Sequence, residues 1–316
     1  MGFYKIALLF FFAAGVPVFA DTVPLKWDFE SGTQDWLPWG VNADSGLSSA
    51  QMNEILTVSE IAPYEGRKGL LLKDDSETAN PYMSLGKAVT VDVKKKYYFR
   101  GYIKSGDNTP VPAAVGIAAE SNGKFVKWFK AKVEVSGDWQ EFSLFTDVIP
   151  KETTHLRPSV FIFNDNAPAG KGSVFLDNLS FGECSFIKAD MSRAVNRAFM
   201  DENAGDGIGG WTDQGDNDLR KIKGGEKVVS NIPFDIFKPA KMTDPAVIGL
   251  RKNGGFAGSA ELQVPDIECD WIYILNTAAW ARGNAGKIKI NYADGSSETV
   301  PVNCGGACRR LVGRSC

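Results

Sequence analysis

The chain has 316 residues, and at about 150 residues per domain it is expected to form two domains. Hydrophobic residues make up 44% and charged residues 23%, so the chain can bury proper cores and is not disordered. A net charge of −3 with no long basic run argues against a protein held to nucleic acid by phosphate contacts, and the single histidine, His155, argues against a multi-histidine metal site or a histidine-based triad.

Taken in chain order, the first twenty residues read as a signal peptide. Lys5 supplies the positive charge, Ile6 to Ala14 is apolar, Gly15 and Pro17 break the run, and Val18-Phe19-Ala20 fits a small-x-small cleavage site. The run is too short for a membrane span, and no later stretch reaches that length. The mature chain is therefore expected to begin at Asp21, secreted or at the cell surface or periplasm. The five cysteines, Cys184, Cys269, Cys304, Cys308 and Cys316, are an odd number for an exported protein. Cys184 with Cys269, or Cys269 with Cys304, are both open as pairs.

Residues 21–184 hold many short strands separated by turn signals, the pattern of an all-β sandwich. Tyr97, Phe99, Gly101 and Ile103 alternate with Tyr98, Arg100, Tyr102 and Lys104, so the two sets face opposite sides of a strand. Phe125 to Val135 reads as another strand, and Gly137-Asp138 turns into Trp139 to Phe145. Val160 to Phe163 and Ser173 to Phe181 supply the last strands.

Several of these pieces resemble the CenC-type carbohydrate-binding modules. Trp27-Asp28-Phe29-Glu30-Ser31-Gly32-Thr33-Gln34-Asp35-Trp36 is similar to their opening. Glu65-Gly66-Arg67-Lys68-Gly69 leads into a strand like their second, Gly137-Asp138-Trp139 matches their turn before a buried Trp, and Val174 to Phe181 resembles their closing strand. The resemblance implies a β-jelly roll that binds polysaccharide and rides on a glycoside hydrolase. Sugars present apolar C–H faces that aromatic rings can cover while polar neighbours take the hydroxyls. The candidate contacts are Tyr98, Arg100 and Tyr102 on one strand face and Trp128, flanked by Lys127 and Lys130, on what is read as the neighbouring strand. The alternative for each is that it only covers the sheet. Trp36, Trp139 and Phe175 are read as core. The family also places its first and last strands side by side with a structural calcium, which makes Asp28, Glu30 and Asp177 candidate metal ligands. Ordinary turn carboxylates are the other reading.

Residues 185–316 begin with a long glycine- and acid-rich loop, Phe199 to Arg220, carrying Trp211. Its spacing fails as an EF-hand, because the twelfth position from Asp201 is Thr212. One reading puts Trp211, Asp213, Gln214, Asn217 and Asp218 at a sugar or calcium site. The other makes Trp211 a plug and the carboxylates loop caps. Pro233-Phe234-Asp235, Trp271 to Trp280 and a hairpin from Lys287 to Val302 around Ala293-Asp294-Gly295-Ser296 follow, and the set resembles a galactose-binding-like β-sandwich of exported polysaccharide-degrading proteins. The tail from Cys304 does not fit a returning strand. Displacing its codons by one base from Ala307 onward can encode Arg-Val-Ala-Asp-Trp-Trp-Gly-Ala-Pro, so the frame is expected to be lost near Gly306, with the parent protein continuing.

Glycoside hydrolysis needs two placed carboxylates. Glu120, Glu134, Glu141 and Asp165 are available, but none has a recognisable context, and no Gly-x-Ser-x-Gly elbow is present. The expected chain is a non-catalytic polysaccharide-binding accessory region, covalently attached in the intact protein to a catalytic domain. The alternatives are a complete secreted glycoside hydrolase or polysaccharide lyase, and a surface adhesion protein.

Overall fold

The computed structural model describes the chain except residues 1–6, 12–15, 19–23, 41–48, 77–78, 108, 163–170, 209, 230–231, 251–255, 265–270, 280–282, 304–307 and 313–316. Phe163, Asp165, Cys269, Cys304, Cys316 and the frame junction near Gly306 thus lie outside the described residues. The elements are nearly all strands. They begin with β1 (Ala7–Phe11), β2 (Val16–Val18), β3 (Leu25–Trp27), β4 (Trp36–Trp39), the short helix α1 (Ser49–Glu54), β5 (Leu56–Ser59), β6 (Gly69–Asp74), β7 (Tyr82–Leu85) and β8 (Val89–Thr90). The long strands follow: β9 (Lys96–Ser105), β10 (Val111–Ser121), β11 (Lys124–Val135), β12 (Gln140–Phe145), β13 (His155–Ile162) and β14 (Gly172–Ile187). The rest are β15 (Arg197–Ala198), β16 (Gly225–Val229), β17 (Ile232–Ile236), β18 (Pro245–Leu250), β19 (Trp271–Ala279), β20 (Asn284–Asn291), β21 (Ser297–Asn303) and β22 (Cys308–Val312). Two compact units result: Phe19–Cys184, and Ser185–Cys316 together with Met1–Val18.

The first unit is a sandwich of two antiparallel sheets. One runs β11-β10-β13-β7-β4 with β8 beside β13; the other runs β12-β9-β14-β6-β5 with β3 beside β14. Strand alternation builds the core, as the period of two dictates. From the first sheet Val115, Ile117, Leu156, Val160 and Met83 point inward; from the second come Phe99, Ile103, Leu70, Leu72, Val174 and Leu176. Each fully buried side chain of this size contributes about 1.5–3 kcal/mol.

The opening motif is part of this core. Trp36 is fully buried, stacks on Phe99 at 5.8 Å and meets Trp27 edge-on at 5.3 Å. The turn between the two tryptophans is tied by Gln34, whose Oε1 accepts from the Phe29 amide at 2.9 Å while its Nε2 donates to Asp28 Oδ1 at 2.8 Å. Phe29, Gln34 and Asp35 all adopt positive φ there, so the side-chain bonds hold a backbone that L-residues otherwise avoid.

The second unit has a five-stranded antiparallel sheet, β15-β18-β1-β19-β22, and two ribbons, β16-β17 and β20-β21. Both faces of its sheet are covered. Val247 and Leu275 join a cluster with Phe199, Trp211 and Ile236, whereas their neighbours Ile248 and Ile274 join one with Met191 and Val302. The expected hairpin closes with Tyr292 N donating to Ser296 O at 2.9 Å and Gly295 N donating to Tyr292 O at 3.0 Å. Ala7–Phe11 and Val16–Val18, within the segment read as a leader, pair with β18 and β19 and with the end of β14. Cys308–Val312, within the tail read as out of frame, pairs with β19.

Candidate functional site

The outer face of the six-stranded sheet carries a continuous row of rings. Residues of β10 that point away from the core are small: Ala114, Gly116 and Ala118. This leaves a floor over which larger side chains from the flanking strands close. Trp128 on β11 sits opposite Ala118, and Phe161 on β13 sits opposite Ala114. The two rings meet edge-on at 5.2 Å across the floor. A Cβ at position 116 would lie 3.0 Å from Phe161 Cε2 and 3.1 Å from Trp128 Cζ3, so the glycine is what lets both rings pack over the strand. The row continues in both directions. Phe125, more than half exposed, lies 5.7 Å from Trp128; Tyr82 on β7 stacks on Phe161 at 4.7 Å; and Trp39 on β4 lies 6.4 Å from Tyr82. Trp128, Phe161 and Tyr82 are half-buried and Trp39 is exposed.

Polar groups are fixed along the same face. Arg157 donates from Nε and Nη2 to the two carboxylate oxygens of Glu120 at 2.6 and 3.0 Å, and from Nη1 to the carbonyls of Leu85 and Gly86 at 2.6 and 2.7 Å. Its guanidinium lies over the Trp39 ring. The Lys130 ammonium lies 3.9 Å over the Phe161 ring, and desolvation there holds its pKa below the usual lysine value. Burial raises the Tyr82 phenol, so it stays protonated and able to donate. Glu120 is thus engaged by an arginine through both of its oxygens.

The sequence-derived candidates divide between the two sheets. Trp128 belongs to β11, whereas Tyr98, Arg100 and Tyr102 belong to β9 in the other sheet, between β12 and β14. The two strands are not neighbours, and the two sets of rings face outward on opposite sides of the sandwich. Alternation along β9 does separate the two faces: Tyr97, Phe99 and Ile103 are in the core and Tyr98, Arg100 and Tyr102 are not. Yet Tyr98 is fully buried, against Gly182 and near the Ser180 hydroxyl, which removes it as a ligand contact. Arg100 donates from Nε to Ser180 Oγ at 2.9 Å. Tyr102 is half-buried under Tyr64, stacked at 3.6 Å, and Trp139 meets Tyr64 edge-on at 5.7 Å. Trp139 is therefore a partly exposed surface ring, not core, while Trp36 and Phe175 are buried. Trp211 is 9% exposed and packs with Phe199 and Ile236 as a plug, so it offers no ring to a sugar.

The calcium candidates of the first unit serve another purpose. Glu30 Oε1 accepts from the amides of Arg67 and Lys68 at 2.6 and 2.9 Å, and these two bonds hold its pKa below the ordinary glutamate value. Asp177 Oδ2 accepts from the amides of Tyr64 and Glu65 at 2.9 and 3.1 Å, and its Oδ1 from Asn178 at 2.7 Å. Gly66 between them has φ +68, and a Cβ there would strike Glu30 Oε1 at 2.2 Å. Asp28 Oδ1 accepts from the Glu30 amide at 3.2 Å and from Gln34. The positive ends of peptide dipoles thus already face these oxygens, and Asp28, Glu30 and Asp177 do not form a mutual cluster among the described residues. The trio ties together the first strand, the 63–68 loop and the last strand. Cys184 is buried, and Cys269, its suggested partner, lies outside the described residues.

Residues 25–162 match the family model described as "Carbohydrate binding domain". The match covers most of the first unit. Among solved structures, the CBM22-1 xylan-binding domain of Paenibacillus barcinonensis Xyn10C is 18% identical with a TM-score of 0.37, over 56% of this chain and 99% of that one. The CBM22-1–GH10 modules of the Clostridium thermocellum xylanase 10B, complexed with xylohexaose, are 16% identical with a TM-score of 0.36, over 58% of this chain and 30% of that one. TmCBM61 in complex with β-1,4-galactotriose is 15% identical with a TM-score of 0.33, over 49% of this chain and 94% of that one. No curated protein matches the chain. No helix among the described residues is long and apolar enough to cross a membrane.

Proposed function

We propose that the first unit, as a carbohydrate-binding module, binds a polysaccharide along the outer face of its six-stranded sheet. The observation that carries this is the row Phe125, Trp128, Phe161, Tyr82 and Trp39, which crosses the sheet from edge to edge over a floor of small residues. The exposed Phe125 and Trp39 and the open parts of the half-buried rings between them form one apolar strip for the C–H faces of sugars. The Arg157–Glu120 pair, the Lys130 ammonium and the Tyr82 hydroxyl supply fixed donors and acceptors for the hydroxyl groups beside them. A row that crosses the sheet from edge to edge favours internal segments of a chain over its ends.

The protein that this reading implies is exported through the leader at residues 1–20 and carries the module beside a catalytic domain, as a polysaccharide-targeting part of a glycoside hydrolase. Affinity electrophoresis of the full chain against a panel of soluble polysaccharides tests the binding. At least one polysaccharide is expected to retard the parent chain, and Trp128→Ala is expected to lower the affinity by about 2 kcal/mol, roughly thirtyfold, with unchanged circular dichroism. No retardation by any polysaccharide, or equal retardation of Trp128→Ala, would count against this face.

A further inference from the structure

We infer that the acidic loop of the second unit is a calcium site built from Asp201, Asp206 and Asp213. One carboxylate oxygen from each lies within 4.8 Å of the others. Two oxygens bound to the same calcium at about 2.3–2.6 Å can be at most about 5.2 Å apart, so this spacing suits one shared ion. The second observation is Asp201 itself. It is 1% exposed, and its Oδ1 has no hydrogen-bond partner although its Oδ2 accepts from the Gly215 amide at 2.7 Å. An unpartnered carboxylate oxygen at that depth is costly unless something positive meets it.

No cationic side chain fills that need. The two arginines that reach the loop are used elsewhere: Arg220 pairs with Asp216 and Asp218 and donates to the backbone carbonyl of Asp201, and Arg197 donates from Nη1 to the Gly207 carbonyl and lies over the Phe256 ring. Among the described residues, none of Asp201, Asp206 and Asp213 has an ion-pair partner. The loop instead turns its amides to one side. Asp213 Oδ1 accepts from Gly205 and Gly207 at 3.0 and 3.1 Å, and Asp206 Oδ1 accepts from Ile208 at 2.8 Å, which fixes the carboxylates while a second oxygen of each stays available. Three hard, anionic oxygens with room for water and carbonyl ligands match calcium, which takes six to eight oxygens in flexible geometry. Among the described residues these three acids are the group whose oxygens converge this closely. The ion would pin the 199–220 loop over the Phe199–Trp211–Ile236 cluster.

The test uses the full chain, stripped with a chelator and titrated with calcium chloride alone, and follows both the melting temperature and terbium luminescence. Trp211 lies two residues from Asp213 and serves as the sensitiser for terbium. The melting temperature is expected to rise with calcium around 10⁻⁴–10⁻³ M, the range of extracellular calcium modules, and terbium emission is expected to be displaced by calcium. Asp206→Asn keeps the bond to the Ile208 amide on an exposed side chain, and it is expected to weaken calcium binding at least about tenfold, with Asp213→Asn as a second variant. Asp216→Asn and Asp28→Asn are expected to bind as the parent does. The inference is overturned by a melting temperature that calcium leaves unchanged, by parental affinity in both Asp206→Asn and Asp213→Asn, by loss of binding in Asp28→Asn in their place, or by an equal response to magnesium.

Discussion

The Arg157 guanidinium lies 4.8 Å from the centroid of the exposed Trp39 ring, and Glu120 holds it there through both carboxylate oxygens. The pair is only 13% exposed on each side, and the two carbonyls beyond it, of Leu85 and Gly86, complete the cage. This is a bidentate geometry that lysine cannot reproduce. Arg157→Lys is therefore expected to lose about 1–3 kcal/mol of unfolding free energy and to weaken polysaccharide binding through a loosened Trp39. Glu120→Gln keeps an acceptor and should lose less. Urea unfolding of both variants decides it: an Arg157→Lys curve within about 0.5 kcal/mol of the parent removes the cage from the account.

Asp74, at the end of β6, makes the first unit sensitive to pH. It is fully buried beside a cavity of about 50 Å³, where its Oδ1 accepts from the Ser76 amide and its Oδ2 has no partner. Burial pushes its carboxyl up from 3.8 to about 6. A raised acid favours the folded state while it is protonated. Its contribution is full below pH 3.8, is lost as pH rises toward 6, and leaves a cost at neutral pH on the order of 2–3 kcal/mol. Asp74→Asn removes the charge and should gain stability at pH 8 but not at pH 4. Chemical denaturation of the two proteins at both pH values gives the answer, and parallel pH profiles would contradict it.

Much of the first unit is legible in the sequence because its information is local. The alternation from Tyr97 to Lys104 separates core from surface, since strand period alone sets it. In the second unit the Asp294-Gly295 turn gives its hairpin for the same reason. What is not local is less visible. Which sheet a strand joins depends on partners far along the chain: Tyr102 pairs with Glu141 and Asp177, and Trp128 with Ala118. A linear reading therefore puts Trp128 and Tyr102 on one surface when they lie on two. Tyr98 sits on the outward face as expected but is covered by a neighbour 84 residues away, Gly182. Tyr82, Phe161 and Trp39 escape notice singly because short strands show too few turns of the period. The outward alternation of Arg157, Ser159 and Phe161 was the available signal.

Cys184 should behave as an inert thiol. Burial pushes its pKa upward, so the reactive thiolate is scarce at neutral pH. Iodoacetamide applied to the native chain is expected to leave Cys184 unlabelled, and the same reagent in denaturant without reductant is expected to label it fully. Peptide mass mapping reads the site directly. Labelling in the native state contradicts the burial, and protection in denaturant reveals a disulfide.

Two aromatic surfaces compete for the role of binding face, and one pair of substitutions separates them. Tyr64 is 41% exposed and lies on Tyr102, with Trp139 at its edge, so the second sheet also offers a ring to solvent. That platform is compact: Tyr102 and Trp139 both pack on Tyr64, so its three rings gather at one spot. The row on the first sheet spans five strands and presents rings at several successive positions, which suits a polymer. If the polymer follows the row, Trp128→Ala costs about 2 kcal/mol of binding, and Tyr102→Ala, whose loss only unstacks Tyr64, costs less than about 0.5 kcal/mol. Calorimetric titration of both variants with the polysaccharide that retards the parent chain distinguishes the surfaces. The opposite order of losses would move the site to the Tyr64–Tyr102 platform, and equal losses in both would mean that each face holds a chain of its own.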